Sequence, residues 1–339
     1  MMKVDQFLLL FALCAPCLQA NAAPIIPSAG LISFWDFQEP TGPFVAKQGR
    51  GRYILEEASW NAKQRVWSSN NLVERVRDTP LARPFGPMSA FIAPGQMLHV
   101  LDTYNAAPLL NIHGDNATLS VVAWVRPAAS MDNTTKGFGH VAGIWSEPIS
   151  VRTYVMFCPQ SGRGRLDHPG NHIDAEVSRT GATMQPACRW SVSYALGATP
   201  INSSSWHMLA MTFDGDSIRA FVNGSLDYRP PYRLNPPSSL CNETWQNPAS
   251  ISTWTNRSRG RWGPGGAPGA PNNRTNFAVG GQRAQPCADG VKCDSGLGHQ
   301  WTGYIGGLAV FDRALLDTEL VQMALRTGMA PLPAPGTAR

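Results

Sequence analysis

Charge is scarce in this chain: 15% of its 339 residues are Asp, Glu, Lys or Arg, against 43% hydrophobic residues. The apolar material suffices for a sizeable core, in one large domain or two small ones. The net charge of +5 would suit an anionic partner, but no DNA- or RNA-binding motif accompanies it, so nucleic acid is not expected. Past the N-terminal region no apolar run is long enough for a membrane helix, which excludes a helical membrane span. Helical periodicity is rare and no repeat of fixed period is visible, which excludes helical bundles, solenoids and propellers. There is no G-x-S-x-G and no active-site cysteine context. The glycine-rich "GPGGAPGAP" (residues 263–271) lacks the Gly-Lys-Ser/Thr ending of a phosphate loop. No cysteine spacing matches a zinc site.

Glycine and proline are plentiful, 32 and 28 of them, which implies many turns and long loops. The chain opens like an export leader. Lys3 precedes the apolar run of residues 7–15, and Ala20-Asn21-Ala22 offers a small-x-small cleavage site, so residues 1–22 are expected to be removed. Leu13 and Pro16, which precede Cys14 and Cys17, do not suit lipoprotein processing. The mature protein is expected to be soluble and secreted or periplasmic. Its oxidising compartment makes disulfides expected among Cys158, Cys188, Cys241, Cys287 and Cys293. Cys287 with Cys293 and Cys158 with Cys188 are the pairs expected; Cys241 is left over.

Short runs of β-branched and aromatic residues bounded by turns recur along the chain. They are "GLISFWDFQE" (30–39), "NATLSVVAWVRP" (116–127), "HVAGIWS" (140–146), "RTYVMFC" (152–158), "HIDAEVS" (172–178), "RWSVSYAL" (189–196), "NFAVGGQ" (276–282) and "WTGYIGGLAVFDRAL" (301–315). Between the sixth and seventh lies a hairpin pattern, with turns at Asp214-Gly215 and Asn223-Gly224. The one helical pattern covers residues 316–328, with Asp317 or Thr318 as cap, Leu320, Met323 and Ala324 on one face, and Gly328 as stop. Residues 229–273 show almost no periodicity and are expected to be a long loop insertion; residues 329–339 are expected to be a disordered tail. Many short strands with turns between them predict an all-β sandwich of two antiparallel sheets with one short C-terminal helix, occupying residues 23–328.

The form "W-H-x-x-A-x-x-F-D-G … F-V-N-G" of the hairpin resembles the signature of laminin-G-like, concanavalin A-like jelly rolls. The first strand, the "LSVVAWVRP" strand, "NFAVGG" and the closing strand with its helix resemble the same family in the same order. The resemblance covers about residues 30–325 and implies a jelly roll that hosts lectins, carbohydrate-binding and adhesion modules, glycoside hydrolases and polysaccharide lyases. Trp206 and Phe213 are expected in the core, and His207 is expected to be a strand histidine with its bonds satisfied.

For chemistry, "HIDAEVS" is the nearest approach to the E-x-D-x-E run of retaining glycosidases on this fold. His172 stands where the first carboxylate would be, with Asp174 and Glu176 following on one face. The preferred reading is a solvent-facing polar side alternating with buried Ile173, Ala175 and Val177. A β-elimination lyase would need a base and a group facing the uronate carboxylate. Arg152 and Tyr154 share a face by period two, with His140 and His172 as further candidates, but the motifs of jelly-roll alginate lyases are missing. The candidate catalytic set is therefore Tyr154, Arg152, His172 and Glu176. Jelly rolls of this kind often hold a structural calcium ion, and Asp36 resembles one contributing position, though Gly306 and Gly307 stand where an acid is expected. Binding chemistry is better supplied. Trp245, Trp254 and Trp262 alternate with Arg257, Arg259 and Arg261 in the insertion, flat rings beside forked donors. The expected function is recognition of an acidic or sulfated polysaccharide through these residues; the alternatives are a polysaccharide lyase or hydrolase, and an adhesion module that binds protein. Seven N-x-S/T sequons, Asn202 and Asn223 among them, would be glycosylated only in an N-glycosylating secretory pathway.

Overall fold

The computed structural model describes residues 24–64, 66–69, 73–78, 85–112, 117–132, 138–146, 151–159, 171–177, 193–233, 244–250, 276–283 and 297–332. Residues 1–22, expected to be a leader, lie outside these residues. So do Cys188, Cys241, Cys287, Cys293, Trp254, Trp262, Arg257, Arg259 and Arg261. The strands begin with β1 Leu31–Trp35, β2 Phe44–Val45, β3 Ile54–Asn61, β4 Val66–Ser68, β5 Glu74–Val76, β6 Ser89–Ile92 and β7 Gln96–Val100. The middle of the chain supplies β8 Leu119–Pro127, β9 Phe138–Ser146, β10 Val151–Pro159, β11 Asp174–Val177, β12 Ser193–Leu196, β13 His207–Phe213, β14 Ser217–Val222 and β15 Ser225–Leu226. Then come β16 Arg229–Arg233, β17 Thr244–Asn247, β18 Ala249–Ser250, β19 Phe277–Val279, β20 Gln282–Arg283, β21 Leu297–Gly298 and β22 Gly303–Phe311. Two single-turn helices, α1 Thr103–Ala106 and α2 Ala129–Asp132, precede the C-terminal helix α3 Asp317–Arg326.

These strands form two nine-stranded antiparallel sheets. The first runs β15-β14-β13-β8-β22-β6-β5, with β1 on β22 and β18 on β14; the second runs β12-β11-β10-β9-β19-β7-β3-β2, with β4 on β3. The expected all-β sandwich is what forms. Val121, Ala123 and Val125 of β8 meet Ala142, Ile144, Met156 and Ala175 of the second sheet in the inter-sheet core. The alternate residues of β8, Val122 and Trp124, face outward and are closed over by Leu320, Met323 and Ala324 of α3. Trp124 Nε1 donates to Thr327 Oγ1 at 2.9 Å, tying the sheet to the helix end.

The hairpin behaves as its turn residues dictate. Asn223 and Gly224 sit at φ 51° and 80°, as a type I′ turn demands. Phe213 is in the inter-sheet core, while Trp206 is only half-buried beside the outer cluster. Three local expectations change. The helix starts at Asp317, and neither Asp317 nor Thr318 caps it: Glu319 reaches back to accept from Leu316 N at 2.9 Å. The segment 229–273 is not a bare loop, since β16, β17 and β18 lie in it and β16 pairs with β17. The start of the tail is ordered: Met329 is buried in the outer cluster and Leu332 packs on the core.

Candidate functional site

On β11 the inward residues are Ala175 and Val177, so Asp174 and Glu176 point out of the sandwich. They do not meet solvent as expected. Asp174 is 5% and Glu176 9% exposed, and His172, just ahead of the strand, is fully buried. Alternation separates two faces of a strand but does not say which later segments cover the outer one. The two carboxyls, two residues apart on one face, hydrogen-bond to each other. Burial raises the Asp174 carboxyl, pushing it up to about 7, while the bond from Glu176 opposes that shift. Asp174 therefore holds its proton more tightly than a solvent-exposed Asp does. Asp174 Oδ1 has no hydrogen-bond partner among the described residues.

The register places Asp174 opposite Phe157, and Phe157 opposite His140 of β9. His140 is thus two strands from Asp174, roughly 10 Å across the sheet. Its Nε2 donates to the Ala278 carbonyl at 3.1 Å, and burial pushes the imidazole down to about 3, so it stays neutral. What the structure gathers here is a buried, hydrogen-bonded acid pair, with the neutral His140 held two strands away.

Tyr154 does not join it, and the side chain of Arg152 lies outside the described residues. Between Arg152 and Tyr154 the register shifts by one residue: Arg152 pairs with Trp145 and Tyr154 with Ile144. That bulge interrupts the period-two register of the backbone between them. Tyr154 points into the inter-sheet core and donates its hydroxyl to Leu110 O at 2.7 Å; burial raises its pKa further. It is built as a core residue and is not placed to act as a base. His207 is buried and lies 3.2 Å through Nε2 from Ser205 Oγ, with its pKa lowered by burial. The backbone of Trp245 is in β17 and that of Cys158 in β10.

The residues around Asp36 do not fit a calcium ion. Gln38 Nε2 donates to the carbonyls of Asp36 at 2.8 Å and Met88 at 2.6 Å, so an amide already uses the oxygens a cation would take there. Lys47 acts electrostatically on Asp36 and pairs with Glu39 at 2.8 Å. Among the described residues no group of three acidic, histidine or cysteine side chains gathers to hold a metal. The Asp36 carboxyl is raised by burial.

Residues 101–245 match the family model described as the concanavalin A-like lectin/glucanases superfamily. That stretch holds β8 to β16 and the start of β17, including the hairpin that carried the resemblance. No curated protein sequence matches this chain. Similar solved structures include domain 4 of AbnA, a GH43 extracellular arabinanase from Geobacillus stearothermophilus, in complex with arabinotriose. It has 12% identity and TM-score 0.46, over 88% of this chain and 100% of that one. The binding domain of Paraclostridial Mosquitocidal Protein 1 is 8% identical, with TM-score 0.42, over 87% and 52%. The binding domain of botulinum neurotoxin DC, in complex with SialylT, is 10% identical, with TM-score 0.43, over 88% and 52%. The chain spans about half the length of these two toxin domains.

The sequence pointed at β11 through the spacing of its acids. It did not single out Asp174, whose proton depends on burial. No helix among the described residues is long and apolar enough to cross a membrane.

Proposed function

We propose that this protein is a carbohydrate-binding jelly roll whose Asp174–Glu176 pair accepts hydroxyl hydrogens of a glycan. The observation that carries the reading is the match of residues 101–245 to the concanavalin A-like lectin/glucanases family model; Asp174 Oδ1, buried on the outer side of β11 with no hydrogen-bond partner among the described residues, is the acceptor that a ligand entering that side would satisfy. A buried acceptor left without a donor costs free energy, and a sugar hydroxyl would supply one. The superfamily match supports the ligand class. An acidic or sulfated polymer is supported by the net charge of +5 and by the interleaved Trp and Arg of residues 245–262. Export is supported by the leader-like residues 1–22. The test is retention of the full chain on immobilised neutral, uronic and sulfated polysaccharides, with Asp174→Asn and Glu176→Gln alongside. Loss of retention in both variants, with cooperative thermal unfolding showing each folded, is the expected outcome; full retention in both would overturn the assignment of the pair.

A second reading is a polysaccharide hydrolase. The raised Asp174 carboxyl beside Glu176 would supply a proton donor, but the two are hydrogen-bonded and so closer than the pair that flanks a glycosidic bond, and His172 stands where a further carboxylate would be. The lyase version loses its proposed base, because Tyr154 is in the core. Release of reducing ends from any polymer on the panel, abolished in Asp174→Asn, would select the hydrolase.

A further inference from the structure

Away from the acid pair, the outer face of the first sheet carries a row of half-exposed side chains that α3 leaves open. Along β8 the outward residues Val122 and Trp124 lie in the cluster that α3 covers; Arg126, next on that face, is part-exposed. Tyr304 of β22 pairs with Arg126 on one side and with Phe91 of β6 on the other, and Phe91 pairs with exposed Glu74 of β5. Trp206, just ahead of β13, completes the row. The Phe91 and Tyr304 rings are 4.8 Å apart, and those of Trp206 and Tyr304 6.2 Å. The Arg126 guanidinium lies 4.1 Å over the Tyr304 ring and 6.0 Å from that of Trp206. Asp78 ties two neighbours of the set together: it pairs with Arg126 and accepts from Trp206 Nε1 at 3.0 Å.

Cross-strand ring pairs stabilise a sheet by themselves. This row has more: its rings are part-exposed, its orientation is fixed by one carboxylate, and the Arg126–Asp78 pair is charge-balanced. Donors and acceptors without net charge, beside apolar ring surface, complement an uncharged polyhydroxylated chain better than an ion or an apolar peptide. From β6 to β13 the row crosses three strand spacings, roughly 14 Å, longer than one sugar ring. We infer that Phe91, Tyr304, Arg126 and Trp206 form a second contact surface, which takes a neutral saccharide chain of several units. The inference rests on the carbohydrate-binding reading for the class of ligand but uses none of the residues of the acid pair.

The experiment is calorimetric titration of the full chain with neutral β-glucan, xylan and arabinan oligosaccharides of two to six units, with heparin and alginate oligosaccharides as charged probes. Wild type, Trp206→Ala, Tyr304→Ala and Asp174→Asn are compared, with thermal unfolding recorded for each. Trp206→Phe replaces Trp206→Ala if the latter does not fold. The expected result is tighter binding of longer neutral chains, weakened about tenfold by the Trp206 and Tyr304 changes. Neutral binding unchanged in both row variants but lost in Asp174→Asn would overturn this inference and leave the first site standing. So would binding of charged oligosaccharides alone. Glycan binding by no variant, wild type included, would overturn both readings. Dimerisation of the wild type that Trp206→Ala abolishes, without glycan binding, would assign the row to a second copy of the chain.

Discussion

Asp174 is a residue whose chemistry depends on where it is put. In an unfolded chain its carboxyl ionises at the ordinary Asp value; folded, burial is the largest influence and raises it. A raised folded-state pKa means that the folded form binds the proton more tightly. The resulting stability is complete below the unfolded pKa and is lost as pH rises through the folded one. Stability should therefore fall between about pH 4 and pH 8. Asp174→Asn, which cannot ionise, should flatten that slope and leave the variant more stable than wild type at pH 8. Urea unfolding at closely spaced pH values reads this directly, and equal slopes for the two proteins would show that Asp174 is not the group responsible.

Among the elements, the hairpin and α3 depend on each other. Gly224 is at φ 80°, and a Cβ there would lie 2.7 Å from Leu320 O and 2.8 Å from Val321 Cα, both helix backbone. Gly224→Ala should thus strain the turn and push α3 from the sheet together, costing at least about 1 kcal/mol and lowering Tm by about 2 °C. Asn223→Gly keeps the turn open to positive φ but removes the acceptor for Met208 N at 2.9 Å. The turn was legible because Asn-Gly between two apolar runs has few other conformations. Its contact with the helix was not, because roughly a hundred residues separate the two elements.

At the scale of the whole molecule the two sheets are joined at one end by charge. Glu57 of β3, in the second sheet, pairs with Arg75 of β5, in the first, at 2.7 Å. Both side chains are nearly buried, and the Arg75 guanidinium also lies 4.4 Å over the Phe44 ring. Removing one partner leaves a buried charge alone, so Arg75→Ala should cost about 3 kcal/mol or more. Replacing both, with Arg75→Met and Glu57→Leu, should recover much of that loss. Chemical denaturation of wild type and both variants measures the effect; a double variant no better than Arg75→Ala would show that removing the charge pair together does not relieve the loss.

Much of the fold was legible from local signals. Runs of β-branched residues ended by Pro127 or by Asn-Gly make strands and turns wherever they occur, and Leu320, Met323 and Ala324 share one helical face. Those properties depend on neighbours a few residues away, so the sequence by itself determined them. The sites depend on register and cover, which only the tertiary structure decided. One extra residue near Thr153 sends Tyr154 to the core. Covering the outer side of β11 turns Asp174 from a solvated carboxylate into a proton-holding acid. The row of Phe91, Tyr304, Arg126 and Trp206 draws on four distant segments, and only the pairing of β6, β22, β8 and β13 brings them side by side. Side-chain alternation is a property of the single strand, whereas burial and cross-strand neighbours belong to the packed sheets.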